Sequence, residues 1–523
     1  MNEKRLTIFS AFILLIIVVV PPFSVGVSNH ALWTPDEPRA AEIGREMAET
    51  GNWAVPTLNR KPFLESPPLY YGVLAWFYRI FGISDTIARL PSAMFCFGSV
   101  IMLFFLSTRL FNARTGLLSA FILATTGEFF RVAHWSVVDG ALTFFVLCAM
   151  SCFIAAYQSE TNRNTFLYYS LFYVFCTLGF YTKGFIGIVI PGVGVLTFIA
   201  IQKNFRELIR MKLWLGVIIF FILTLPWFIA LWHQAGWEYL KVFFLHNHLQ
   251  RFLPGSLAGN ISGAASGHHN PFYYYITEFP VGFLPWSTLF VPVLIFVFSR
   301  RKFQALGSNS FQQNILFLKC WFFAGIVFLS IASTKRTLYL MPIFAPMAAL
   351  TGIYLEQLLT ATNLKRYEKA FFWLLSIVLF VAGLVLVPAY YYLSRRYFGL
   401  TSGGFSLMLT ICALLVCAAV VFGFCCLKNH RIRNYYISIV ISITVFFLGS
   451  VFYFFPLIDK EKSFIPFCKE VSSRVPMGQP LFAYQPDETL RAVIPFYTGH
   501  YVLETETTDA ILEKIHSGSP CSV

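Results

Sequence analysis

Asp36 and Glu37 stand side by side in Trp33-Thr-Pro-Asp36-Glu37-Pro-Arg39. A carboxylate in this setting can orient or deprotonate an acceptor hydroxyl. Arg39 follows one turn later on the same helical face, and its planar fork suits a phosphate. The plainer reading is that the two acids complement the N-terminus of a helix. A third acid, Asp139, closes His134-Trp-Ser-Val-Val-Asp139 just before an apolar run. It reads as a site carboxylate or as a cap, since an acid at the centre of a membrane helix costs roughly 2.5–3.5 kcal/mol and less near its edge. Lys183 and Lys335 lie beside apolar runs. Each holds a phosphate or merely snorkels to the interface. Arg251 alone reads as an interfacial anchor. His246, His248, His268 and His269 lack a diagnostic ligand spacing and read as interfacial polar residues. No cofactor is called for, and nothing supports a divalent metal, although one stays open. No Gly-rich nucleotide loop stands out in the sequence.

The elements that must position these residues are apolar. Of 523 residues, 57% are hydrophobic and 12% charged, and mean hydropathy is +0.66. The runs last roughly 20 residues, enough to cross about 30 Å of hydrocarbon. Hydropathy predicts about thirteen spans: 7–27, 88–108, 115–131, 138–157, 163–180, 184–202, 212–232, 278–298, 314–332, 337–357, 370–392, 404–427 and 434–457. The first reads as an uncleaved anchor, because Pro21-Pro22 follows where a signal peptide has small residues. The net charge of +14 fits a positive-inside bias, not nucleic acid. Lys4/Arg5, Arg109/Arg114, Lys203 to Lys212, Arg300 to Lys302, Lys365 to Lys369 and Lys428 to Arg433 all fall on one side, the cytoplasmic one.

That leaves outside the loops 28–87 and 233–277 and the tail 458–523. The chain therefore divides into a transmembrane domain, 1–457, and a small C-terminal domain, 458–523. In the first loop, Thr34 to Glu37 reads as a capping box, opening a helix to Thr50 that Gly51 ends. Ala40, Ile43 and Met47 share one face, with Glu42, Arg45 and Glu49 elsewhere. A second helix runs from Leu69 to Phe81 and stops at Gly82. Two such interface helices make a platform for a substrate that is half lipid. The Gly/Ala/Ser-rich stretch 255–267 is a lid or an ordinary mobile loop. The tail reads as α/β, with strands at 480–484 and 500–503 and helices at 461–473 and 508–516. Cys468 and Cys521 are the cysteines outside spans, and can pair if the tail is extracytoplasmic. No internal repeat supports a transporter.

The strings around the acids continue in order: Gly51-Asn-Trp53, Glu65-Ser66-Pro-Pro-Leu69, Thr182-Lys183-Gly184, His248-Leu-Gln-Arg251-Phe252, Leu284-Pro-Trp286 and Ser333-Thr-Lys335-Arg336-Thr-Leu-Tyr339-Leu-Met-Pro342. Over most of residues 30–350 they resemble the bacterial relatives of protein O-mannosyltransferases, and most closely the lipid A aminoarabinose transferases. The resemblance implies a GT-C fold, all-α and polytopic, with a small extracytoplasmic α/β domain. It implies transfer of a sugar from a polyprenyl-phosphate donor to lipid A or another envelope acceptor, among membrane lipids and without nucleic acid. It places the site on the periplasmic face of a bacterial inner membrane. Asp36 and Asp139 would be catalytic. Glu37, Arg39, Lys61, Glu65, Ser66, Lys183, Arg251, Lys335 and Tyr339 would bind substrate, with Arg251 a ligand of the donor phosphate. The family has Lys where this chain has Ser66, which supplies one neutral hydrogen bond and no charge. Arg39, Lys61 or Arg251 must then provide that charge, or the donor binds differently. Protein O-glycosylation and non-catalytic transport are the alternatives.

Overall fold

The computed structural model describes residues 2–244, 270–299, 309–332, 334–359, 364–398, 407–477 and 479–505, with side chains from residue 8 onward. Arg251, the four histidines of the second loop, the stretch 255–267, the basic run 300–302, the helix expected at 508–516 and Cys521 lie outside the described residues.

Helix α1 (Asn2–Ser24) leads to a loop containing α2 (Asp36–Thr50), a two-residue hairpin β1 (Thr57–Leu58) and β2 (Lys61–Pro62), and α3 (Leu69–Phe81). The bundle continues with α4 (Asp85–Leu110), α5 (Ala113–Ala124), α6 (Gly127–Ala133), α7 (Asp139–Tyr157), α8 (Asn162–Lys183), α9 (Ile186–Gln202), α10 (Arg206–Arg210), α11 (Leu213–Ala235) and α12 (Trp237–Lys241). After the second loop come α13 (Tyr274–Gly282), a 3-10 turn (Trp286–Leu289), α14 (Phe290–Phe298) and α15 (Asn309–Ile331). A second 3-10 turn (Thr337–Leu340) enters α16 (Met341–Leu359), followed by α17 (Arg366–Phe398), α18 (Leu407–Lys428) and α19 (Ile432–Lys462). The tail holds α20 (Ile465–Arg474), β3 (Leu481–Tyr484), α21 (Glu488–Thr498) and β4 (Val502–Thr505).

Eight of these helices are long and apolar enough to cross a membrane, and up to ten spans result if each bent pair is one. The bent pairs are α5 with α6, at 70°, and α13 with the segment 286–298, at 113°. Hydropathy sees both pairs as single runs, because a bend changes direction without changing composition. The protein is thus an all-α, multi-pass membrane protein with a small α/β tail. Burial sorts the helices: 94% of the apolar window entered through residue 337 is buried, against 11% for α11. α16 is therefore the centre of the bundle, and α11 faces lipid. Between α8 and α9 the backbones touch: a Cβ on Gly187 would lie 2.2 Å from the Gly179 carbonyl carbon. Small residues let membrane helices approach this closely, and the crossing fixes the turn that carries Lys183.

Helices α2 and α3 have the ends expected, with Gly51 at φ 70° and Gly82 at φ 85°. These left-sided conformations favour residues lacking a Cβ. Two local details differ from the sequence reading. No side chain caps α2; Glu37 turns inward instead of closing a box. Glu42, Arg45 and Glu46 are buried along with the apolar face. The reason is enclosure by two helices: α3 packs on α2 at Gly44, where a Cβ would meet Leu74 at 2.6 Å, and the tail helix α21 joins the same apolar cluster through Ala492.

The tail is a β-α-β unit. β3 and β4 pair in parallel, Leu481 opposite Val502, and α21 is the crossover. Its core is Cys468, Val475, Leu481, Val493, Ile494 and Val502. The expected strands exist, shifted by up to two residues, and α21 was not anticipated. The unit is pinned to the first loop. Asn59 Nδ2 donates to the Val502 carbonyl (2.7 Å) and Val502 N–H donates to Asn59 Oδ1 (2.9 Å). Lys61 and Arg491 both pair with Glu504, at 2.8 and 3.1 Å. Tyr497 donates to Asp85 (3.1 Å) and accepts from the Leu32 N–H (2.9 Å).

Candidate active site

The site is built on a buried polar scaffold. Glu37 and Arg89 are both fully buried and paired at 2.8 Å. Arg89 also donates to the carbonyls of Val27, His30 and Ala31 (3.1, 2.9 and 2.6 Å). Glu37 accepts from the N–H groups of Trp33 (2.8 Å) and Ser136 (3.0 Å). A buried charge pair is tolerable only when its remaining donors and acceptors are met, and here they tie three segments together. The loop after α1, the start of α4 and the turn before α7 become one unit. Ser92 extends it, bonding Tyr70 Oη (2.7 Å), the Val137 carbonyl (2.9 Å) and the Val137 N–H (3.1 Å). The consequence is positional: Asp36 precedes Glu37, and Asp139 stands three residues beyond Ser136.

His30 belongs to the same region. Its ring packs on Trp33 (4.3 Å) and Phe455 (5.0 Å), and Nδ1 donates to Asn29 Oδ1 (3.1 Å). Its Nε2 has no hydrogen-bond partner among the described residues. Burial, reinforced by Arg89 and His134, pushes the imidazole down to about 2 from its usual 6.5. The unfolded chain gains a proton near pH 6.5 while the folded one does not. Stability from this site is therefore complete above pH 6.5 and falls by about 1.4 kcal/mol per pH unit below it. The detergent-solubilised protein should melt progressively earlier from pH 6.5 to 4.5, and His30→Phe should flatten that slope. An unchanged slope in His30→Phe would assign the acid lability elsewhere.

On this scaffold Asp36 meets two guanidinium groups. Its Oδ1 pairs with Arg39 (2.7 Å) and its Oδ2 with Arg336 (3.0 Å). Arg39 also pairs with Glu488 of α21 (2.6 Å), feels the charge of Glu65 and lies over the Phe63 ring (5.6 Å). Ser66 hydrogen-bonds Tyr71, a buried phenol whose burial holds its titration above the usual range. Asp139, nearly buried, pairs with Lys183. The Lys183 ammonium also sits 4.5 Å over the Tyr339 ring. Arg336 and Tyr339 flank and occupy the 3-10 turn entering α16, and the turn thereby bridges the two acids. Tyr275 of α13 donates to the Arg336 carbonyl (3.3 Å).

The structure thus brings Asp36, Arg39, Glu65, Ser66, Asp139, Lys183 and Tyr339 to one end of the bundle. Three predicted residues sit differently. Glu37 has its oxygens occupied by protein donors. Lys335 is turned inward, donating to the carbonyls of Asn270 (3.0 Å) and Ala332 (2.6 Å), and the neighbouring Arg336 reaches Asp36 in its place. Lys61 pairs with Glu504 of the tail. Arg336 was not singled out from sequence, although it stands in the same string as Lys335. Glu488 carried no signal beyond the Asp487 cap before it. Among the described residues no three His, Cys, Asp or Glu side chains converge as a metal site.

Residues 5–236 match the family model of the dolichyl-phosphate-mannose-protein mannosyltransferases. The chain is 29% identical over 364 residues to an undecaprenyl phosphate-alpha-4-amino-4-deoxy-L-arabinose arabinosyl transferase of Pectobacterium carotovorum, covering 69% of this chain and 62% of the relative. It is 31% identical over 331 residues to the protein of the same name from Erwinia tasmaniensis, covering 63% and 56%. The chain thus spans about three fifths of the length of the relatives it matches. Among solved structures it resembles ArnT from Cupriavidus metallidurans bound to undecaprenyl phosphate, with TM-score 0.74 and 20% identity over 98% of this chain and 89% of that one. The archaeal oligosaccharyltransferase AglB from Archaeoglobus fulgidus, in complex with an inhibitory peptide and a dolichol-phosphate, follows at TM-score 0.51 and 13% identity over 95% and 64%. Over about two thirds of its length the chain is similar to the aminoarabinose transferases, and its fold is the GT-C fold of these structures.

Proposed function

We propose that this chain is a membrane glycosyltransferase that moves a sugar from a polyprenyl-phosphate donor to an extracytoplasmic acceptor, with lipid A the acceptor and aminoarabinose the sugar. The observation that carries the reading is the joining of Asp36, with its two guanidinium groups, to the Asp139–Lys183 pair through the turn 337–340. Two acids and three cations at a bundle end suit a reaction whose leaving group is a lipid phosphate.

In this reading the lipid tail lies among the helices and its phosphate sits at the periplasmic interface of a bacterial inner membrane. Arg39 and Arg336 neutralise the leaving phosphate, assisted by Lys183 and by Arg251. Preorganised charges in a site of low dielectric act without reorganising during the reaction. Arg336 helps replace the lysine charge that Ser66 does not supply. Asp36 orients the acceptor or takes its proton; a lipid A phosphate is already anionic and needs only orientation. Asp139, held by Lys183, positions the reacting sugar. Glu37 acts through the scaffold, and Glu65 and Tyr339 shape the pocket without carrying the transferred charge. A single displacement inverts the anomeric centre.

The test is transfer in vitro. Purified protein in detergent is given undecaprenyl-phosphate-linked aminoarabinose with lipid A or with an acceptor protein, and the products are weighed by mass spectrometry. Sugar on lipid A is the expected result. Sugar on protein would move the acceptor to the class named by the matching family model. No transfer to either, with donor bound, would overturn the reading.

A further inference from the structure

The cation best placed to take a donor phosphate is shared with the tail. Arg39 gives Nη2 to Asp36 (2.7 Å) and Nη1 to Glu488 (2.6 Å). From this geometry we infer that Glu488 is a positioning residue of the donor site: it holds Arg39 in the empty enzyme and gives up that guanidinium edge to the phosphate on binding. The inference deepens the proposed function and rests on it.

Charge decides which partner leaves. Asp36, Glu65 and Glu488 all act on Arg39, and Arg336 adds a second guanidinium on Asp36, so that three acids face two guanidinium groups. An entering phosphodiester adds a further negative charge, and like charges around one guanidinium repel. Asp36 is the poorer candidate to leave. Its side chain is 12% exposed and Arg336 holds its other oxygen. Glu488 is 40% exposed, so water can solvate it once released. It also lies in the first turn of α21, where the helix dipole favours an acid without Arg39. A planar guanidinium presents parallel N–H groups that suit phosphate oxygens, and the Nη1 now used by Glu488 is one of them.

The tail does not depend on this contact for its place. The Asn59–Val502 bonds, the Lys61–Glu504–Arg491 cluster and the Tyr497–Asp85 bond hold it independently. Glu488 can therefore let go while the tail stays docked, and the cycle of release and recapture falls to one side chain. Recapture of Arg39 by Glu488 would also help expel the lipid phosphate product.

The experiment measures binding of undecaprenyl phosphate to the full chain in detergent, and then steady-state transfer. Glu488→Gln keeps the shape and removes the charge, and Glu488→Ala removes both. Each should bind undecaprenyl phosphate about tenfold more tightly than wild type, by loss of a competing charge. The donor KM should fall with binding, and kcat should not rise, because product leaves more slowly. Glu504→Gln loosens tail anchoring without touching Arg39, and its affinity should stay at the wild-type value. Equal or weaker binding in both Glu488 variants, with wild type binding normally, would overturn the inference. So would the same tightening in Glu504→Gln. Failure of wild type itself to bind would sink the proposed function instead.

Discussion

Asp36→Asn is expected to leave a folded protein whose kcat is lowered about a hundredfold, the scale of a reactant held out of line. The split between parameters is the informative part. Asp36 is the carboxylate that engages both Arg39 and Arg336. Replacing it with a neutral amide of the same shape leaves two guanidinium groups with less opposing charge. Donor binding should therefore hold or tighten while turnover collapses, so that KM for donor does not rise. A binding residue would behave in the opposite way, losing affinity with kcat retained. Steady-state rates of the purified variant at saturating and limiting donor separate the two. A variant with near wild-type kcat would remove Asp36 from the chemistry.

Glu37→Ala should act through stability. The acid beside the proposed catalytic one is fully buried, and its removal strands the Arg89 guanidinium without its paired carboxylate, leaving Asp85 as its remaining acidic neighbour among the described residues. Breaking one side of a buried pair costs about 3–5 kcal/mol, because an uncompensated charge remains. It also frees the N–H groups of Trp33 and Ser136, loosening the segments that carry Asp36 and Asp139. Little folded protein should survive extraction, and what survives should melt early. Combining Glu37→Leu with Arg89→Met removes both charges and should recover part of the melting temperature. Activity should stay low in the double variant, since the apolar pair cannot hold the two loops in register. Full activity in the double variant would mean that the acids keep their places without the scaffold.

These cases show what the residues reveal in one dimension. The ends of α2 and α3 were readable because Gly51 and Gly82 are local signals. The acids were readable because their strings are ordered along the chain. The scaffold was not, since Glu37 and Arg89 are 52 positions apart and nothing local to either indicates the pair. The choice of Arg336 over Lys335 depends on the extended backbone just before a 3-10 turn, where successive side chains point to opposite sides. Helix α21 was missed because Pro495 lies within it, although Asp487 as cap and Gly499 at its left-handed end were signals that could have found it. Glu488 became relevant only when the tail was seen to cover α2.

The most direct test of the account is mass spectrometry of lipid A and other envelope glycans from a null strain, complemented with wild type or with Asp36→Asn at equal expression. The account predicts one sugar mass that disappears in the null, returns with wild type and stays absent with Asp36→Asn. Full restoration by Asp36→Asn would contradict it, and would move a transport or assembly role to the front.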